Sequence, residues 1–281
     1  MRFGVKTVPQ HTTWREMLDV WKAADEVEFF ESIWNWDHFY PLWGDFGGAN
    51  FEGWTMLAAM AQATKRIRIG CQVSGMIYRH PAVLANMAAT IDQISEGRLI
   101  LGLGAGWNQM ECDAYGMPLY GLKERFDRFD EGVEAIVGLL TNERTNYPGK
   151  YIQLTDAACE PKAIQRPHPP ITIGGRGKTR TLKTAARYAQ EWNAIVRDSA
   201  DWSELNQVID RHCAEVGRDP SEITRSVSLR MTTPDDVGLI ATQAASFGDA
   251  GVDLVIVNLP QPFSPSVLGP LAEALAPLAG K

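Results

Sequence analysis

The sequence predicts the α/β class and, within it, a (β/α)8 TIM barrel forming a single domain over residues 1–281, with an insertion at about 107–170 before the fifth strand. Three observations carry this expectation. Short apolar runs alternate with amphipathic helical patterns along nearly the whole chain, the order that builds a parallel sheet with helices outside it. Eight such runs can be read, the first starting at Arg2 and the last ending near the C-terminus, so that one closing pair completes a ring. The length of 281 residues suits one barrel of this kind. An open doubly wound sheet is the alternative topology.

The elements follow in order. Residues 2–7 read as the first strand. Residues 13–28 read as a helix: Thr13 and Glu16 have capping-box spacing, and Trp14, Met17, Leu18, Trp21 and Ala24 share one face. The second strand is 32–36, running into Asp37-His38-Phe39. A loop rich in aromatics and glycine covers 40–50, then a helix 52–63 and a third strand 66–73. Pro81 takes the first position of the next helix, Leu84, Met87, Ile91 and Ile94 line one side of it, and Gly97 is its left-handed cap. The fourth strand is 99–103.

The alternation then breaks. Residues 111–123 read as irregular and 124–140 as helix, while 147–170 carries turn and proline signals, with 150–154 as one arm of a short hairpin. It resumes with a fifth strand (171–173), a helix (179–189), a sixth strand (193–196), a helix (202–216), a seventh strand (226–230) and a helix (235–247). The eighth strand, 252–257, is apolar enough to be buried on both faces. A last helix covers 265–278.

Composition narrows the function. The net charge of −7 repels a nucleic-acid backbone, and no basic cluster overrides it. No apolar run reaches the length of a membrane span. The chain opens directly on a strand pattern, without a signal peptide. Cys71, Cys112, Cys159 and Cys213 show no CxxC spacing, and the five histidines form no HxxxH pair, which argues against a disulfide framework or a metal site and points to the cytoplasm.

In a barrel, chemistry sits just beyond the C-terminal strand ends. Asp37-His38 stands at one such end, where a histidine can donate a proton or bond a ligand near neutral pH; the plain alternative is a histidine that caps the next turn. Gly102-Leu103-Gly104-Ala105-Gly106-Trp107 is a strand running into a glycine-spaced turn. It is not a dinucleotide fingerprint, which needs glycine where Trp107 stands. Gly174-Gly175-Arg176-Gly177 sits between a strand and a helix. It offers bare N–H groups, a helix start and a cation to an anion such as phosphate, or it is only a tight turn. It is not a P-loop, because Thr172 occupies a required glycine position. Cys71, near the end of a buried strand, reads as inert. Lys6 could form a Schiff base as in barrel aldolases, but the sequence supplies no neighbour to depress its pKa. Several of Trp34, Trp36, Trp43, Trp54 and Trp107 fall around strand ends, which suits a flat, apolar redox cofactor, while others among them are plain core.

These residues are shared with a known family. The chain resembles the luciferase-like monooxygenase superfamily of (β/α)8 flavin and deazaflavin oxidoreductases, and within it most closely the actinobacterial branch that uses the deazaflavin coenzyme F420. The resemblance spans almost the whole chain. It rests on Trp36-Asp37-His38-Phe39, Arg66-Ile67-Arg68-Ile69-Gly70, Tyr78-Arg79-His80-Pro81-Ala82-Val83, Ser95-Glu96-Gly97-Arg98-Leu99 with the Gly102–Gly106 turn, Glu160-Pro161-Lys162, Arg166-Pro167-His168-Pro169-Pro170-Ile171 and Ile173-Gly174-Gly175.

The resemblance implies roles. His38 corresponds to the active-site histidine beside the deazaflavin ring, held by Asp37 or a backbone group. Cys71, Gln72 and Val73 correspond to a bulge that often carries a non-proline cis peptide and backs the ring. Gly104, Ala105, Gly106 and Trp107, with Gly174, Gly175, Arg176 and Gly177, correspond to the segments that hold the cofactor tail and phosphate. Two departures from the sugar-phosphate dehydrogenase branch stand out: Trp107 replaces the glutamate after the Gly-x-Gly turn, and Leu42 precedes Trp43 where the branch has its tryptophan. Reduction of an apolar, conjugated substrate fits these departures better than sugar-phosphate oxidation. The implied function is hydride transfer between F420 and a small organic molecule, with no metal. Alternatives are an FMN-dependent monooxygenase that activates O2, a non-catalytic flavin or deazaflavin carrier, and an aldolase acting through Lys6. The resemblance also implies a homodimer.

Overall fold

The computed structural model describes residues 1–280. In chain order its elements are β1 (Arg2–Lys6), α1 (Trp14–Glu26), β2 (Ser32–Asn35), α2 (Gly53–Ala63), β3 (Arg68–Cys71), the two-residue β4 (Ser74–Gly75), α3 (Pro81–Ile94), β5 (Leu99–Gly104), α4 (Gln109–Tyr115), α5 (Leu122–Thr141), β6 (Thr145–Pro148), β7 (Gln153–Ala157), β8 (Ile171–Gly174), α6 (Thr181–Tyr188), β9 (Glu191–Ala194), α7 (Ser199–Val216), β10 (Thr224–Arg230), α8 (Val237–Asp249), β11 (Leu254–Asn258) and α9 (Leu268–Leu275). The strands pair in the order β3-β2-β1-β11-β10-β9-β8-β5, and β5 returns to β3. This is a closed, parallel, eight-stranded barrel. The closing pair joins the first strand to the last, with Arg2 opposite Leu254 and Lys6 opposite Asn258.

Side chains alternate across the barrel wall. Phe3, Val5, Ile33, Val255 and Val257 belong to the main core between strands and helices, while Trp34, Ile100, Leu254 and Ile256 form a separate buried cluster that plugs the interior. Trp34 fits there because Gly70 lies opposite it: a Cβ on Gly70 would stand 2.4 Å from the indole. Above the plug, the inward positions turn polar, with Lys6, Asn193, Ser228 and Asn258 facing the C-terminal mouth.

Local signals account for the helix ends. In α1, Thr13 Oγ1 accepts from Glu16 N at 3.2 Å and Glu16 Oε2 accepts from Thr13 N at 2.9 Å, the reciprocal capping pair. Its buried residues are Met17, Val20, Trp21 and Ala24; Leu18 is half-buried and Trp14 exposed, so the inner face is rotated from the predicted one. His80 caps α3 ahead of Pro81, and Gly97 takes φ +83° beyond its C-terminus, as expected.

Two expectations are corrected. Residues 111–123 are not irregular throughout, since α4 occupies Gln109–Tyr115, capped by Asn108 and stopped by left-handed Gly116. In the hairpin, only 153–154 of the expected arm 150–154 lie in a strand, β7. Glu131 of α5 accepts from the N–H groups of Lys150, Tyr151 and Ile152 at 2.7–3.1 Å, which bends them into the turn between β6 and β7. Because α5 packs on α3 as an ordinary barrel helix, the extra material before the fifth barrel strand is α4 and the hairpin.

The recurrent motifs tie the N-terminal end of the barrel together. Arg98 donates to the carbonyls of Ala61, Thr64, Ile67 and Ser95. Buried Asp92 accepts from Ile164 N, Gln165 N and Gln165 Nε2. Asp25 accepts from the N–H groups of Lys65, Arg66 and Ile67. No helix among the described residues is long and apolar enough to cross a membrane.

Candidate active site

A cleft of about 580 Å³ opens at the C-terminal mouth. Of the residues expected there, His38, Gln72, Val73, Gly104, Ala105, Gly106, Trp107, Gly174, Gly175 and Arg176 line it, whereas Asp37, Cys71 and Gly177 do not.

His38 follows β2 and is oriented by a residue that sequence reasoning missed. Its Nδ1 lies 2.7 Å from Oε2 of Glu111, which α4 brings in from the segment after β5. The Tyr78 hydroxyl donates to the same oxygen at 2.7 Å, while Oε1 accepts from the N–H groups of Phe39 and Tyr40 at 2.6 and 3.0 Å. Burial pushes the Glu111 carboxyl up, but the hydrogen bonds from His38, Tyr78 and Tyr40 outweigh it, and the carboxyl is held below its usual range. With Nδ1–H committed to Glu111, Nε2 is the ring nitrogen left for a ligand. Trp36 and Trp107 lie edge-on to the imidazole, at 5.5 and 5.7 Å.

Asp37 does not hold His38. It is fully buried and receives both arms of Arg79, at 2.5 and 3.0 Å, and Arg79 also bonds Glu52, the N-cap of α2. Burial pushes the Asp37 carboxyl up against the pull of Arg79. The role expected of Asp37 therefore passes to Glu111. The carboxylate next to the histidine in sequence is turned away, held by both arms of Arg79 beneath α2.

The third strand ends in a bulge whose Gln72-Val73 peptide is cis. Lys6, on the cleft floor, donates from Nζ to the Gln72 carbonyl at 2.9 Å and to Gln72 Oε1 at 3.3 Å, and Ser228 donates to Oε1 at 3.0 Å. No neighbour depresses the Lys6 pKa, as the sequence suggested, but burial alone lowers it to about 8. Cys71 is wholly buried, and burial pushes its thiol up, consistent with an inert residue.

The glycines make room chiefly for this bulge. A Cβ on Gly102 would fall 1.9 Å from the Cys71 carbonyl oxygen. One on Gly104 would fall 2.7 Å from Val73 Cγ2, and one on Gly174 2.8 Å from Val73 Cγ1. Gly106 is at φ +82°, and its Cβ would meet Ile77 at 2.6 Å. In the Gly174–Gly177 turn, the cations that suggested an anion site are already paired. Arg176 bonds both oxygens of Asp201, at 2.8 and 2.9 Å, and Lys178 bonds Glu204 at 2.5 Å.

The residues fit a planar heterocycle with carbonyl groups. Because the Gln72 oxygen faces two donors, its Nε2–H is turned elsewhere; that nitrogen and the Trp36 indole N–H are buried with no acceptor among the described residues. Both belong to side chains lining the cleft, and unpaired buried donors of this kind are costly unless a ligand supplies the acceptor. No group of three or more His, Cys, Asp or Glu side chains suited to a metal ion occurs among the described residues.

Comparisons with known proteins place the family and the fold. The model of the luciferase-like monooxygenase family matches residues 1–248. An F420-dependent hydroxymycolic acid dehydrogenase of Mycobacterium tuberculosis is 32% identical over 240 residues, which cover 83% of this chain and 64% of that protein's length. Among solved structures, an F420-dependent secondary alcohol dehydrogenase in complex with an F420-acetone adduct superposes with a TM-score of 0.82 at 19% identity, covering 96% of this chain and 98% of that one. The monooxygenase RslO1 from Streptomyces bottropensis gives 0.78 at 22% identity, covering 99% of each. At those identities the two structures speak for the fold, and the family match speaks for descent. The chain belongs to the luciferase-like monooxygenase family of oxidoreductases.

Proposed function

We propose that the protein is a coenzyme F420-dependent oxidoreductase that transfers a hydride between C5 of the deazaflavin and an organic substrate. The observation that carries this reading is the His38–Glu111 pair at the wall of a largely apolar cleft. Relatives named as F420-dependent support the choice of cofactor. The coenzyme, when bound, supplies the redox step.

The chain's residues supply the rest. Gln72 and Trp36 offer N–H donors to ring oxygens, and Val73, backed by Gly104 and Gly174, forms the surface against which a flat ring lies. His38 takes or gives a proton at Nε2: neutral, it accepts there; protonated, it donates there, and the buried Glu111 carboxylate 2.7 Å from Nδ1 stabilises the imidazolium. Buried Trp36 and half-buried Trp43 give the cleft an apolar wall that would exclude water.

Titration of F420 and of FMN against tryptophan fluorescence tests the cofactor. Micromolar binding of FMN with none of F420 would overturn it. The His38→Ala variant is expected to lose turnover by about 10²-fold or more while keeping coenzyme affinity within about threefold; unchanged turnover would remove the role given to His38. A second reading, an FMN-dependent monooxygenase that activates O2, is favoured by the likeness to RslO1. Oxygen consumption with supplied reduced FMN separates the two.

A further inference from the structure

One guanidinium at the exposed rim of the cleft, that of Arg230, has no acidic partner among the described residues. We propose that Arg230 is the carboxylate-binding point of the substrate subsite, so that the substrate is an apolar organic acid. This deepens the oxidoreductase reading and rests on it.

Arg230 is the last residue of β10. Period-two alternation puts it on the same side of the wall as Ser226, whose hydroxyl bonds buried Glu191, and Ser228, whose hydroxyl bonds Gln72 on the cleft floor. Its side chain is therefore carried over the mouth of the barrel. There the guanidinium lies 4.0 Å from the centroid of the Trp43 ring. Stacking holds the plane in one orientation and leaves the edge N–H donors free. Among the described residues, no carboxylate or carbonyl takes them. The contrast with Arg176, in the same cleft and clamped by Asp201, is direct.

The surroundings define the ligand. Arg230, Trp43 and Asn258 line both the main cleft and an adjoining cavity of about 250 Å³ that also touches Thr232 and Gln261. The guanidinium thus stands where the apolar cleft meets a polar recess. From it an aromatic wall leads to the imidazole: Trp43 lies edge-on to Trp36 at 5.1 Å, and Trp36 edge-on to His38 at 5.5 Å. A molecule along this wall has an apolar body, its reacting end near His38 and one anionic end at Arg230. A carboxylate matches two parallel N–H donors of the fork. The overall charge of −7 opposes an anion, and the guanidinium offsets this locally.

The test uses 2-naphthoate and its uncharged isostere 2-naphthamide, titrated against tryptophan fluorescence with the wild type, Arg230→Gln and Arg230→Lys. The wild type is expected to bind the acid at least about tenfold more tightly than the amide. In Arg230→Gln the preference falls to within about twofold, and Arg230→Lys, a point charge without the fork, keeps part of it. Equal binding of acid and amide to the wild type, including no binding of either, would overturn the proposal, as would a preference that survives in Arg230→Gln. Repeating the titration with F420 present identifies the source of the carboxylate: if Arg230→Gln weakens F420 binding and leaves the naphthoate preference intact, the anion is the coenzyme's and the substrate assignment fails. The comparison needs no coenzyme, so failure of F420 to bind would sink the cofactor reading while leaving this one decided by the naphthoate result.

Discussion

At the scale of single residues, the site depends on two buried side chains, Glu111 among donors and Lys6 among acceptors. Glu111 is ringed by His38, Tyr78 and two backbone N–H groups. In Glu111→Gln, the new NH2 must face either the His38–Tyr78 side or the Phe39–Tyr40 side, and both present hydrogens. The expected result is a stability loss of about 1–3 kcal/mol, seen in denaturant unfolding, and a drop in turnover of about 10²-fold because His38 loses its charged anchor. Lys6 shows the opposite balance. Its pKa falls from 10.5 in the unfolded chain to about 8 in the fold. As pH drops from 10.5 to 8, the unfolded state takes up the proton first, so stability falls across that window and levels off below it. The charged amine thus costs about 3 kcal/mol at neutral pH. Lys6→Met is expected to raise the melting temperature at pH 7 while weakening coenzyme binding, because the Gln72 amide is no longer pinned. A lower melting temperature with unchanged binding would contradict this account.

At the scale of elements, the bulge after β3 and the glycines of β5 are one device. Gly102 faces the Cys71 carbonyl and Gly104 faces Val73, so β5 can follow the bulge only without side chains. Gly104→Ala must displace Val73 and is expected to cost about 1–3 kcal/mol and to weaken coenzyme binding. Gly102→Ala collides with backbone and is expected to cost more and to yield little folded protein, which expression with circular dichroism would read. If Gly104→Ala binds coenzyme as the wild type does, the bulge is not a ligand surface. The element α4 matters for another reason. Four turn-forming or capping residues, Asn108, Gly116, Gly121 and Pro118, fragment its pattern in sequence, and only seven residues remain helical. That brevity hid Glu111.

At the scale of the whole molecule, the barrel interior is a polar column above and below an apolar plug, and it makes stability depend on pH. Glu191, at the start of β9, is wholly buried, and burial raises its pKa from 4.5 to about 7. Its raised folded value means that the stability present below pH 4.5 is lost as pH rises through 7. Glu191→Gln is expected to remove this fall and to stabilise the protein by about 3 kcal/mol at pH 8, with little effect at pH 4.5. Unfolding curves at the two pH values would check it, and a parallel shift at both would refute it. Much of this molecule was legible before folding. Alternating strand and helix signals, each local, determined the eight-stranded ring, and the capping box, the Pro81 helix start and the Gly97 cap emerged where short-range chemistry places them. His38 could be placed at the barrel mouth because strand ends can be read along the chain. What only the tertiary structure decided were the partners: Glu111 rather than Asp37 for His38, Asp201 for Arg176, Gln72 for Lys6, and the Trp43 ring rather than an acid for Arg230. Such pairings join residues tens of positions apart whose meeting is set by ring closure and by which side of a strand faces inward, and no local pattern encodes that distance.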